Sequence, residues 1–365
     1  MYVIIAVIVK FAGVKWIDKI MPAVVIGPTV AIIGLSLAGN AIGDAVSTVN
    51  VDGNFIMNTH GILCLICALV TLAVTIVSSV YGKKMMKMIP FIIGILAGYA
   101  VAAIFTGFSY IDGAEAMRII DFTKFNDMQW YPDFAFITAF SGKYEIANGT
   151  IGGYIGTIAV AYIPVAFVVF AEHIADHKNI SSIIETDLLK DPGLSRTLLG
   201  DGVGSIAGAL FGGCPNTTYG ESVGCVAISG NASVATIFVT AIMAIVLSFI
   251  APATTFLATI PGCVMGGVCI ALYGFIAVSG LKMIQGVDLN ENRNLFVVSV
   301  ILIAGVGGMS LTFGQVTVTE VACALILGIL TNLLVNIKSK KSNTEEAAEP
   351  AVSEDVPEEK LDEAI

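Results

Sequence analysis

Cys214-Pro-Asn-Thr-Thr-Tyr-Gly-Glu-Ser-Val-Gly224 lies between two apolar runs, at 197–212 and 233–257. Pro215, Asn216, Thr217, Thr218, Gly220 and Gly224 make it a poor helix. It reads as extended chain at membrane depth. Irregular backbone survives there only where it is buried in protein or lines a cavity. A broken segment near the midplane is the sequence mark of a transporter's binding site. Glu221 falls where the extended piece enters a following half-span at 222–230. A helix dipole favours negative charge at that end. The same residues could also form a polar surface loop, with Glu221 as a helix cap.

The flanking sequence supports the membrane setting. Apolar runs recur at 1–13, 22–42, 60–80, 88–108, 151–175, 197–212, 233–257, 262–281, 294–312 and 319–337. A span needs about 20 such residues, so the first run is a partial one. Hydrophobic residues make up 56% of the chain and charged residues 13%, against about 25% charged in soluble domains. Several soluble domains could not be coated with so little charge. Disorder, coiled coil, collagen and a nucleic-acid binder are excluded on the same ground. The net charge of −10 belongs mostly to residues 342–365, which hold nine acids and one base. That tail reads as disordered and solvated. With the C-terminus placed in the cytoplasm, 15 of the 18 Lys and Arg residues fall on the inside, as the positive-inside rule requires. Arg118, Lys124 and Lys143 fall outside, in the long connection 109–150. The seven cysteines sit mostly within apolar runs, and Cys64 and Cys67 read as small hydrophobes. No Walker loop, HExxH or GxSxG is present, so nothing points to an enzyme or an ATP-driven pump.

Ala171-Glu-His-Ile-Ala-Asp-His177 closes one of the long apolar runs. Glu172 and Asp176 are four apart and share a helical face, with His173 adjacent. Carboxylates and imidazoles at the end of a span suit a proton relay. A solvated helix end is the competing reading, since Lys178 follows at once. A helix continuing through Ile180, Ile183 and Ile184 would draw Glu172 inward.

At these two stretches the chain resembles the nucleobase–cation symporter-2 family of xanthine and uracil permeases. The similarity is carried by AEHIADHKNIS (171–181), DLLKDPGLSRTLLGDGVGSIAGALFGG (187–213), PNTTYGESVG (215–224) and PGCVMGGVCIALYGFIAVSGLKMI (261–284). It implies an all-α, inverted-repeat transporter fold of 14 segments, about 11 of them present, with a short strand at the midplane. It divides the chain into a remnant of the fourth segment (1–13, core), gate segments (14–108), an extracellular connection (109–150), core segments that bind substrate (151–258), further gate segments (259–338) and an acidic cytoplasmic tail (339–365). The implied function is import of a nucleobase, uracil, by proton symport across the plasma membrane. Glu172, Glu221 and the backbone at Tyr219 and Gly220 are the implied substrate ligands. Glu172, Asp176 and His173 are the implied proton-coupling groups. The chemistry suits uracil, whose ring N–H groups need acceptors and whose carbonyls need donors. The coupling ion is a proton, no other cofactor is expected, and a homodimer through gate segments is the expected assembly.

Departures from the family pattern set further expectations. Its signature continues with Asn, where this chain has Ser222, and Ser229 stands in a Thr position. The similarity starts at the family's fourth segment, so the first three segments, with the partner strand, are expected to be missing. Two alternatives follow: a non-transporting remnant or half of a split transporter, and a xanthine or purine permease on the same fold.

Overall fold

The computed structural model describes residues 2–13, 15–48, 50–51, 54–130, 134–141, 151–214, 216–220, 222–223, 226, 230–313 and 316–337. The chain opens with α1 (Tyr2–Ala12), α2 (Lys15–Ile20), α3 (Ala23–Ser36) and α4 (Ala38–Val46). A two-residue hairpin, β1 (Asn50–Val51) with β2 (Asn54–Phe55), leads into α5 (Thr59–Tyr81), α6 (Met85–Met88) and α7 (Pro90–Asp112). Short α8 (Ala135–Phe140) precedes α9 (Ile151–Ile184) and α10 (Leu194–Leu210). Then come α11 (Val234–Ser248), α12 (Ala251–Thr259), α13 (Gly262–Ile284) and α14 (Asn292–Val306). The hairpin of β3 (Leu311–Phe313) and β4 (Val316–Val318) precedes α15 (Glu320–Asn336).

Four stretches are long and apolar enough to cross a bilayer: Ala23–Val46, Thr59–Tyr81, Pro90–Ile111 and Gly262–Ile284. Two bent pairs raise the number to six. Shorter apolar helices are α1, α14 and α15. The start of α5 follows from sequence, since the Asn58 side chain accepts from the Gly61 N–H at 2.7 Å. The Thr319 hydroxyl accepts from the Ala322 N–H at the start of α15 in the same way.

Three regions differ from a simple reading of the apolar runs. The run 233–257 is two helices bent by 87°. Pro252 at the start of α12 supplies the break, because proline has no N–H to continue the preceding helix. The run 294–312 stops being helical at Val306. Gly307 and Gly308 end the helix, Gly308 at φ 66°, and the chain turns into β3. Lastly, α9 has 34 residues, which at 1.5 Å each is about 51 Å. That exceeds a hydrocarbon core of about 30 Å. Its halves, Gly152–Val160 and Val165–Ser181, meet at 43°, and Pro164 lies in the break.

The centre of the molecule is α3, buried along nearly its whole length. It crosses α13 where neither helix has a side chain to spare. A Cβ at Gly280 would run into the Ala31 backbone, and one at Gly34 into the backbone of Tyr273 and Ala277. Small residues let membrane helices approach to this distance. The main apolar core joins α1, α3, α9, α10, α14 and α15, and includes Phe170, Ile174, Ile301 and Leu325. A second cluster joins α5, α7 and α13 through Cys64, Cys67, Ala102, Cys263 and Val264. The connection after α7 folds back on the helices rather than hanging free. Ile119 and Ile120 donate N–H bonds to Thr106 Oγ1 at 3.1 and 3.0 Å, and Ile120 is buried. The acidic tail 339–365 and most of the half-span 222–230 lie outside the described residues.

Candidate functional site

The helix α9 does continue through Ile180, Ile183 and Ile184, so Glu172 and Asp176 sit well inside it and only partly exposed. The two carboxylates face the irregular chain at 216–220. Residues 216–219 carry neither helix nor ladder, and no strand pairs with them among the described residues. Side chains anchor the segment instead. The Thr217 hydroxyl donates to Glu172 Oε2 at 3.2 Å, and the Thr218 hydroxyl donates to Asp176 Oδ2. The Ser205 hydroxyl of α10 donates to the Asn216 side-chain carbonyl and, at 3.3 Å, to its main-chain carbonyl. Two consecutive threonines thus tie one short segment to two carboxylates a helical turn apart.

A cavity of about 80 Å³ lies between these parts. Its walls are Val30 of α3, Glu172 and Asp176 of α9, Gly220, and Phe275, Ile276 and Ser279 of α13. Gly220 comes close to the Asp176 carboxylate. A Cβ there would stand 2.7 Å from Asp176 Oδ1. One turn beyond Asp176, the Asn179 amide donates to Ser279 Oγ at 3.3 Å and bridges α9 to α13. Each threonine hydroxyl occupies one acceptor site of a carboxylate.

His173 is on another face of α9. It is 1% exposed and packed in the main core, with its Nδ1 3.1 Å from Asp201 Oδ2 and its Nε2 3.1 Å from Thr197 Oγ1. The Thr197 hydroxyl donates to the Leu194 carbonyl, so toward His173 it is an acceptor. Both ring nitrogens are thus held by side-chain oxygens of α10. The His177 ring stacks on His173 at 4.2 Å, and its Nδ1 donates to the His173 carbonyl at 2.8 Å. The edge of Tyr2 completes the enclosure.

Of the residues singled out from sequence, the structure brings Glu172, Asp176 and Gly220 to one cavity. The Tyr219 side chain is exposed and is not part of the cavity wall, although the Tyr219 carbonyl accepts from the Ser222 N–H at 3.1 Å. Glu221 lies outside the described residues. Sequence reasoning did not find Thr217, Thr218, Phe275, Ser279 or Asp201. The threonines stood in the quoted stretch, but nothing in it says which carboxylates they meet. Phe275 and Ser279 lie in an apolar run about 100 residues away, with no polar pattern to mark them.

Apolar helices around a small polar cavity, walled partly by irregular backbone and two carboxylates, define a multi-pass membrane transporter, not an enzyme. Residues 1–313 match the model of a permease family, that of the xanthine/uracil permeases. The chain is 38% identical to the uracil permease of Bacillus caldolyticus over 339 residues, covering 92% of this chain and 72% of that one. It is 36% identical to the uracil permease of Bacillus subtilis over 350 residues, 94% and 75% of the two chains. It is 35% identical to that of Escherichia coli K12 over 341 residues, 93% and 72%. The chain belongs to the xanthine/uracil permease family.

Proposed function

We propose that this chain carries a nucleobase through the membrane, that the base is uracil, and that a proton moves with it. The observation that carries the reading is the pair of carboxylates, Glu172 and Asp176, held by Thr217 and Thr218 at a cavity that also contains Gly220. The relatives named uracil permease support the choice of substrate.

The carboxylates accept from the ring N–H groups, and main-chain N–H groups near Gly220 serve the ring carbonyls. Glu221, next in the chain, is the second carboxylate that the family resemblance assigns to the ring. Glu172 takes up the coupling proton, with Asp176 one turn away as its relay. The walls come from both α9 and α13, so motion of one body against the other would open the cavity to alternate sides. The layout proposed is the family's inverted repeat, with α9 to α12 in the moving core and α3 to α7 and α13 to α15 in the gate. The reading puts the chain in the plasma membrane, and the Lys and Arg bias supports a cytoplasmic C-terminus.

The test is uptake of labelled uracil into cells lacking other uracil carriers. Saturable uptake that falls with a protonophore and is lost in Glu172→Gln is the expected result. Xanthine in excess should leave it unchanged. Uptake insensitive to the protonophore would remove the proton from the mechanism, and competition by xanthine would move the substrate to purines.

A further inference from the structure

The cavity just described leaves a second polar cluster unexplained. His60, Cys64 and Cys67 are spaced four and three apart, on one face of α5. Opposite them, Cys263 begins α13 and shares a buried cluster with Cys64 and Cys67. The three residues are 2%, 0% and 1% exposed in chain order. Close backbone approach fixes the pairing of the two helices, since Gly267 one turn further sits against the Ala68 carbonyl. Packing alone would account for thiols of this kind if nothing polar reached them.

Something polar does. His60 Nδ1 stands 2.9 Å from the Ala116 carbonyl, which can only accept, so Nδ1 carries the proton. In the neutral ring Nε2 is then a bare acceptor, and it lies 3.4 Å from Cys64 Sγ. A thiol, a base and a group that orients the base are in place. Cys64 and Cys263 also share the wall of a cavity of about 230 Å³ with His60. Its mouth is lined by Asp121 and Lys124 from the connection after α7. Hydrogen bonds from the Thr123 hydroxyl and N–H hold the Asp121 carboxyl below the usual carboxylate range. The mouth is thus charged while its floor is sulfur.

We propose that Cys64 and Cys263 are a thiol–disulfide exchange site that takes a small-molecule disulfide from this cavity and becomes a cross-link between α5 and α13. The Cys64 proton passes to His60 Nε2, and the thiolate attacks one sulfur of R–S–S–R. That S–S bond breaks, and the first R–S⁻ leaves and takes the proton from His60. The Cys263 sulfur then attacks the Cys64 sulfur of the mixed disulfide. The second R–S⁻ leaves with the Cys263 proton. One protein disulfide forms, the small-molecule disulfide is reduced, and two R–SH are released. Cys67, which does not line the cavity, is not consumed.

The experiment treats the full chain, purified in detergent, with 2-hydroxyethyl disulfide and follows intact mass and peptide maps. Wild type should lose two hydrogens and yield a Cys64–Cys263 linked peptide. Cys263→Ser should stop at a single mixed-disulfide adduct on Cys64. Cys67→Ser should react as wild type. His60→Gln should slow the first adduct at least tenfold, the low end of what a positioned base supplies being about a hundredfold. A link mapped to Cys67, a wild-type chain that keeps all its thiols, or an unchanged rate in His60→Gln would overturn the proposal. Peptide mapping of the wild type alone decides the linkage should a variant fail to fold.

Discussion

Replacing Gly220 by alanine tests how tightly the irregular chain is fitted to α9. A Cβ at that position lies 2.7 Å from Asp176 Oδ1 and 3.3 Å from Asp176 Cγ, whereas ordinary contact begins at 3.4 Å. The carboxylate has to retreat by about 0.7 Å, the difference of the first and last distances. Its other oxygen accepts from the Thr218 hydroxyl, so the movement strains that bond. A hydrogen bond to a charged group is worth about 1.5–3 kcal/mol. At about 1.4 kcal/mol per decade, Gly220→Ala should weaken uracil binding roughly 10- to 100-fold. The assay is labelled-uracil binding and thermal midpoint for Gly220→Ala, Asp176→Ala and the double variant. The thermal cycle serves wherever binding falls below detection. Without the Asp176 carboxylate there is nothing to strike, so the second substitution should cost less than about 0.5 kcal/mol on the first. Additive effects, or a Gly220→Ala chain that binds and melts like wild type, would refute the reasoning.

Other outcomes follow from the same geometry. Asp201→Asn replaces the carboxylate that holds the buried His173 ring, and a hydrogen bond left poorly satisfied in the interior costs about 1–3 kcal/mol. Thermal unfolding of the solubilised protein should show it, with a smaller loss for Thr197→Val. Ser279→Ala deletes the acceptor of the Asn179 amide and should shift stability by only about 1 kcal/mol, while changing uracil affinity through the cavity wall. Gly280→Val forces bulk against the Ala31 backbone and should lower stability by about 1–3 kcal/mol or more, visible as loss of monodisperse protein in size-exclusion chromatography.

Much of the helical layout could be read from apolar run length alone, because a bilayer imposes that length on each span. The inward position of Glu172 hung on whether the helix ran past His177, and Ile180, Ile183 and Ile184 continue the apolar side. Breaks inside apolar runs were less legible. Nothing in the hydropathy of 294–312 separates the helix ending at Val306 from the hairpin after it; only Gly307-Gly308 hints at a stop. Contacts between distant residues left no local trace. Asp201 meets His173 across 28 residues, and Cys263 joins Cys64 in one buried cluster from about 200 residues away. A side chain's partner is fixed by how helices cross, and the crossing of α3 and α13 was encoded in glycines that also read as ordinary membrane packing.

That crossing also governs where the protein can yield. Side-chain contacts can give by rotamer changes, but Gly34 and Gly280 put main chain against main chain, and a peptide backbone has no rotamer to change. The α3–α13 pair therefore behaves as one stiff beam. Compliance is left to the seam between this beam and α9, where side-chain packing and the Asn179–Ser279 hydrogen bond can both rearrange. A force that separates the two sides would part this seam before it bent the beam.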